Sequence, residues 1–178
     1  MKSTHPITFA ALTALTLAMS AACSDDGAGT GGGGGGGVIP DPAADACEHL
    51  EGGPFADVSA TPDAAGAPDA SAEHTAHRIT LPADATAGFV GHVTYVVEEA
   101  GELVFFTDED VSMTLQDAGG AAVPWEDECT SACTDPCGLV QNARTVDIDS
   151  VGSYVLRIES DAEDVTLVVV HAGESNHE

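Results

Sequence analysis

An all-β fold is predicted, a single antiparallel β-sandwich of about eight strands, and three observations predict it. Short apolar segments recur with turn signals roughly every 8–12 residues. Within them apolar and polar residues alternate: Val111, Met113 and Leu115 interleave with Ser112, Thr114 and Gln116, the period of a strand with one dry and one wet face. No stretch of helical period follows the first twenty-two residues.

Those twenty-two residues carry one Lys at position 2, an apolar run from Ile7 to Met19, and the small residues Ser20, Ala21 and Ala22 directly before Cys23. A leading charge, a run too short for a bilayer and a small-residue end define an export signal, not a membrane span. The Cys after the small residues resembles the lipobox of bacterial lipoproteins, although Ser20 stands where Leu is commoner. The resemblance implies removal of residues 1–22, lipidation of Cys23 and, with Ser24 following, a place on the outer membrane or cell surface of a Gram-negative bacterium. Residues 23–46, with the unbroken run Gly31 to Gly37, read as a flexible tether without a core. Residues 47–72 read as a short lead-in segment pinned by Cys47, then an Ala/Pro stretch, a loop or a mobile insertion, in which Pro62 and Pro68 forbid a helix interior.

The sandwich is expected over residues 73–172, with 173–178 as a tail. Its strands are HRITL, GFVGHVTYVV, GELVFF, VSMTLQ, AAVPW, ARTVDI, GSYVLRI and DVTLVVV. Alternation nominates Phe89, Val93, Tyr95, Leu103, Phe105, Val111, Met113, Leu115, Val146, Ile148, Tyr154, Leu156, Ile158, Val165, Leu167 and Val169 as the core. The run GELVFFTDEDVSMTLQDAGG, followed by VGSYVLRIES and DVTLVVV, resembles the bacterial pre-peptidase C-terminal domain over about residues 86–171. That resemblance implies a jelly-roll-like sandwich appended to a secreted chain. The CEH stretch and His77-Arg78 are also similar to small Gram-negative lipoproteins with Gly-rich tethers.

Charge excludes one class of partner. Thirty acidic residues face four basic ones, a formal net charge of −26 that becomes one unit more negative when Lys2 leaves with the signal. Such a surface repels nucleic acid and anionic lipid headgroups, keeps the domain soluble and attracts cations.

Four cysteines outside the signal region, Cys47, Cys129, Cys133 and Cys137, are expected to form two disulfides in an exported chain. Three pairings are open. Cys47 with Cys137 plus Cys129 with Cys133 is favoured, because the long closure constrains the unfolded chain most. The alternative is a thiolate cluster for Cu(I) on the C-x-x-x-C-x-x-x-C spacing. Histidines form the second candidate set. His49, His74, His77 and His92 are imidazoles in a strongly acidic chain, and imidazole is the commonest protein ligand for Zn and Cu. If a bridge pins His49 to the sandwich, His49 and His77 are the expected ligands, with His74 or His92 completing the site. The acidic corners Asp108 to Asp110, Asp147 with Asp149, and Asp161 to Asp164 lack the D-x-D-x-D-G run of a calcium loop and read as solvated turns.

GxSxG, HExxH, P-loop and dinucleotide-binding patterns are absent from the sequence. The expected function is therefore non-catalytic: a surface lipoprotein module, held to the membrane by its lipid, that binds a protein, a glycan or another extracytoplasmic component. The alternative is capture of Cu or Zn by the histidines.

Overall fold

The structure, a computed structural model, describes residues 41–130 and 137–172. Cys23, residues 23–40 of the expected tether, Cys133 and the 173–178 tail lie outside the described residues. In chain order the elements are α1 (Pro42–Gly52), β1 (Phe55–Ser59), β2 (Ala76–Thr80), β3 (Ala83–Asp84), β4 (Gly88–Val97), β5 (Gly101–Thr107), β6 (Val111–Gln116), β7 (Ala122–Val123), β8 (Asp127–Thr130), β9 (Asn142–Ile148), β10 (Gly152–Ser160) and β11 (Asp164–His171). One sheet has the order β1-β2-β11-β5-β9-β8 and the other β3-β4-β10-β6-β7. The fold is thus an all-β sandwich. Every strand pairing is antiparallel except that of β1 with β2, which is parallel.

The eight expected segments all carry strands, and alternation places the core as read. Fourteen of the sixteen nominated side chains are buried in one cluster between the sheets, and Phe89 and Val169 pack against it. Phe105 sits at its centre, its ring edge-on to Tyr95 at 5.4 Å and to Trp125 at 5.5 Å between centroids. The indole N–H of Trp125 donates to the carbonyl of Met113, which satisfies the polar end of a ring turned to the core.

The segment before residue 73 differs from expectation in two ways. Residues 42–52 are a helix, not the end of a tether and a period-free lead-in. Asp41 caps it by accepting from the backbone N–H of Ala43, and Pro42 occupies the first turn, where a missing N–H costs nothing. Its apolar stripe is Ala43, Ala46 and Leu50, spaced three and four apart, with Ala46 buried and the other two partly buried. Two alanines give that stripe too little hydrophobic contrast to stand out as a period. The helix packs on the outer face of the first sheet, over Ala76, Val104, Phe106, Val140 and Val168.

The Ala/Pro stretch is held in place. Thr61 bridges His92 and Asp69 bridges Thr94, while Ala70 N–H donates to the Thr94 carbonyl at 2.8 Å and Thr94 N–H to the Pro68 carbonyl at 2.7 Å. These bonds cover the edge of β4 that the two-residue β3 leaves open, so the stretch protects an otherwise unpaired strand edge. Gly91 marks the close approach: a Cβ there would stand 2.5 Å from the Cβ of Ala60 and 2.9 Å from Leu81.

Candidate metal centre

Helix α1 presents side chains on both flanks of its apolar stripe. At 3.6 residues per turn Cys47 falls roughly 100° to one side of Ala46, whereas Asp45 and His49, four apart, fall together on the other. The first flank is bolted to the sandwich by the Cys47–Cys137 disulfide, Cα to Cα 5.8 Å, across 90 residues. The second meets His74, which the chain delivers from the turn before β2.

The donors of Asp45, His49 and His74 all lie within 4.8 Å of one another. His49 Nε2 is 3.8 Å from Asp45 Oδ1, and the two imidazole centroids are 5.5 Å apart with planes inclined at 51°. Ligands of a tetrahedral ion bound at about 2.0–2.1 Å stand about 3.3 Å apart, so an ion requires only a small inward shift. Two features prepare the site. His49 Nδ1 donates to the carbonyl of Gly53 at 3.2 Å, which fixes the ring and leaves Nε2 as the lone-pair nitrogen. That Nε2 is buried, on a residue only 7% exposed, and has no hydrogen-bond partner among the described residues. An unsatisfied buried acceptor of this kind costs about 1–3 kcal/mol, and a metal ion would satisfy it. His74 has φ +49°, a left-handed conformation that His adopts more readily than most residues. Such backbone strain concentrates where function needs a side chain aimed.

Of the four histidines nominated from sequence, the structure brings together His49 and His74. His77 and His92 stand apart from this cluster. The reason for His77 is strand parity. Ala76 packs under the helix, so the next residue points to the opposite face of the sheet, on the same side as Ile79 and opposite Leu167. There its Nε2 donates to the carbonyl of Ala72 at 3.2 Å. His92 belongs to β4 in the other sheet, where its Nδ1 donates to the carbonyl of Thr61 at 3.3 Å. The sequence conceals Asp45, because a tether running to residue 46 hides its four-residue spacing from His49. The thiolate alternative for Cu(I) fails on redox state: Cys137 is bridged to Cys47, and Cys129 is also disulfide-bonded.

Two of the acidic corners also serve the fold. Asp108 accepts from the backbone N–H of Thr166 and Asp164 from the Thr80 hydroxyl, so each ties a turn to a neighbouring strand. Near the chain end a polar pocket of about 260 Å³ is lined by Ser71, Glu73, Tyr95, Glu98 and His171 among others. Burial, with the charge of Glu73 adding to it, pushes the Tyr95 hydroxyl up to about 12.

His77 supplies a pH prediction. Burial holds its pKa below the usual value, opposed only in part by the Ala72 carbonyl and Asp69. The unfolded chain therefore takes up a proton near pH 6.5 that the folded protein refuses. Stability is full above that pH and is lost as pH falls through the interval down to the folded value. Urea midpoints taken from pH 7.5 to 5 should fall less steeply for His77→Gln than for the parent. Equal slopes would show that His77 is not the group concerned.

An all-β sandwich with an outer helix and a His₂Asp cluster defines the class of molecule. No protein-family model matches the chain, and no curated protein sequence matches it.

Proposed function

We propose that the protein is a non-catalytic, exported sandwich module, tethered through a lipid on Cys23, that holds a Zn(II) or Cu(II) ion between Asp45, His49 and His74. The observation that carries the metal reading is the buried, unpartnered Nε2 of His49 facing a carboxylate and a second imidazole. Two imidazoles and one carboxylate are a donor set suited to borderline divalent ions and poorly suited to calcium, which takes oxygen donors. Three protein donors, one of them the exposed His74, leave a further coordination position for water or a ligand from outside. The acidic surface raises the local cation concentration around the site. The signal-like start and Cys23 support the address. The broader reading, a module for a protein or glycan, gains less from the molecule: Trp125, the ring best suited to stack on a sugar, packs against the core.

Calorimetry of the metal-stripped protein with Zn(II) and with Cu(II) tests this. One ion per chain is expected, bound more tightly than about 10 μM, an affinity of about 7 kcal/mol. The His49→Ala/His74→Ala variant should lose at least about a hundredfold, while His77→Ala and His92→Ala should bind as the parent does. Binding weaker than that limit, or binding that survives the double substitution, overturns the proposal and leaves Asp45 and His49 as a neighbouring pair one helical turn apart.

A further inference from the structure

We infer that metal binding at this site is gated by the Cys47–Cys137 disulfide, so that reduction of the bridge releases the ion. The inference rests on the metal reading above and adds how the site is regulated.

Two of the three donors, Asp45 and His49, belong to helix α1, and the third, His74, belongs to the strand side of the sandwich. The site therefore exists only while the helix is docked. What docks it is modest. The helix has 11 residues, too few to be stable alone in water, and besides Cys47 and His49 it buries only Ala46, with Ala43 and Leu50 partly covered. The covalent bond at Cys47, two residues from His49, is its strongest attachment. Sheet order shows how the two fasteners are arranged. The helix packs on β11 and β5. His74 precedes β2, the neighbour of β11, and Cys137 precedes β9, the neighbour of β5. Ion and disulfide thus hold opposite flanks of one strap, and each holds it in the position the other needs.

The chemistry balances with a dithiol as reductant. Its two sulfhydryls pass two electrons and two protons to the Cys47–Cys137 bond, which becomes two thiols, and the dithiol closes to a disulfide. The freed flank lets α1 lift, Asp45 and His49 separate from His74, and the ion leaves. Linkage requires the reverse effect as well: an ion that favours the docked helix must disfavour opening of the bridge by the same factor. Cys47 is only 5% exposed and Cys137 partly buried, so attack on the Cys47 sulfur goes through local opening of the helix. An ion at a hundred times its dissociation constant makes that opening about a hundredfold rarer.

The experiment uses the unmodified oxidised protein. A water-soluble phosphine reduces the disulfide, with water supplying the oxygen of the phosphine oxide, and alkylation with mass mapping follows Cys47 and Cys137 over time, with and without Zn(II). Zn(II) should slow reduction of this bridge at least tenfold in the parent and have no effect in His49→Ala/His74→Ala. In parallel, calorimetry on Cys47→Ala/Cys137→Ala, with circular dichroism to confirm the sheet, should show Zn(II) affinity at least tenfold weaker. Zn(II) that binds the parent by calorimetry but leaves the reduction rate unchanged overturns the gating and spares the metal site. Failure of Zn(II) to bind the oxidised parent removes both. If the cysteine variant does not fold, the rate measurement decides alone.

Discussion

Replacing Cys47 and Cys137 by alanine is expected to lower the unfolding free energy by about 4–5 kcal/mol, a large share of what a domain of this size has. The magnitude comes from the closure across 90 residues, which removes many conformations from the unfolded chain that the variant regains. Lost packing adds little, because the sulfur atoms touch a small cluster outside the main core. Two signatures should appear together in urea: a lower midpoint and a larger m-value, since an uncrosslinked unfolded chain exposes more surface. A loss under about 1 kcal/mol with an unchanged m-value would mean that the unfolded state is already compact enough to hold these residues together.

Phe105→Ala is expected to cost about 3–5 kcal/mol through a different mechanism. Phe105 is fully buried and is the largest side chain in that condition among the described residues. Its ring joins strands of both sheets, since Tyr95 lies on β4 and Trp125 follows β7. Alanine leaves a cavity that neither aromatic neighbour fills easily, because Trp125 is tied by its N–H to Met113. Neighbouring Phe106 provides the contrast. It points to the other face, beneath α1, so Phe106→Ala should cost less and should loosen the helix first. Chemical denaturation of both variants checks the order; equal losses would argue that the two faces are one cooperative core.

The sandwich was legible because its inner faces obey a period of two. Met113 between Ser112 and Thr114, or Leu156 between Val155 and Arg157, marks which side is dry. The outer helix was not legible from its own residues, since PAADACEHLEG is rich in alanine and follows a Gly-rich run. Its shadow was present elsewhere. Leu103 to Phe106 and Leu167 to Val170 are apolar at both parities, which means both faces of β5 and β11 are covered, and something other than the second sheet must cover the outer one. Recognition of that double burial would have asked for a missing layer and pointed upstream to residues 42–52. With the helix placed, Asp45 and His49 become one turn apart. The exclusion of His77 then follows from Ala76 taking the helix side. Strand β1 lay beyond this logic: it pairs in parallel at an edge, largely exposed, so burial leaves little pattern in FADVS.

The bridge between Cys47 and Cys137 also reroutes mechanical load. Tension applied to the chain leading into Asp41 and resisted at β11 passes through the first turns of α1 and across the sulfur–sulfur bond. It continues into the chain before β9, so strands β1 to β8 sit in a closed loop outside the covalent load path. Fully stretched, that loop has a contour length of roughly 300 Å at about 3.3–3.6 Å per residue, all of it withheld while the bond is intact. A domain so wired withholds the length of the loop under force until the bond is reduced, and then releases it.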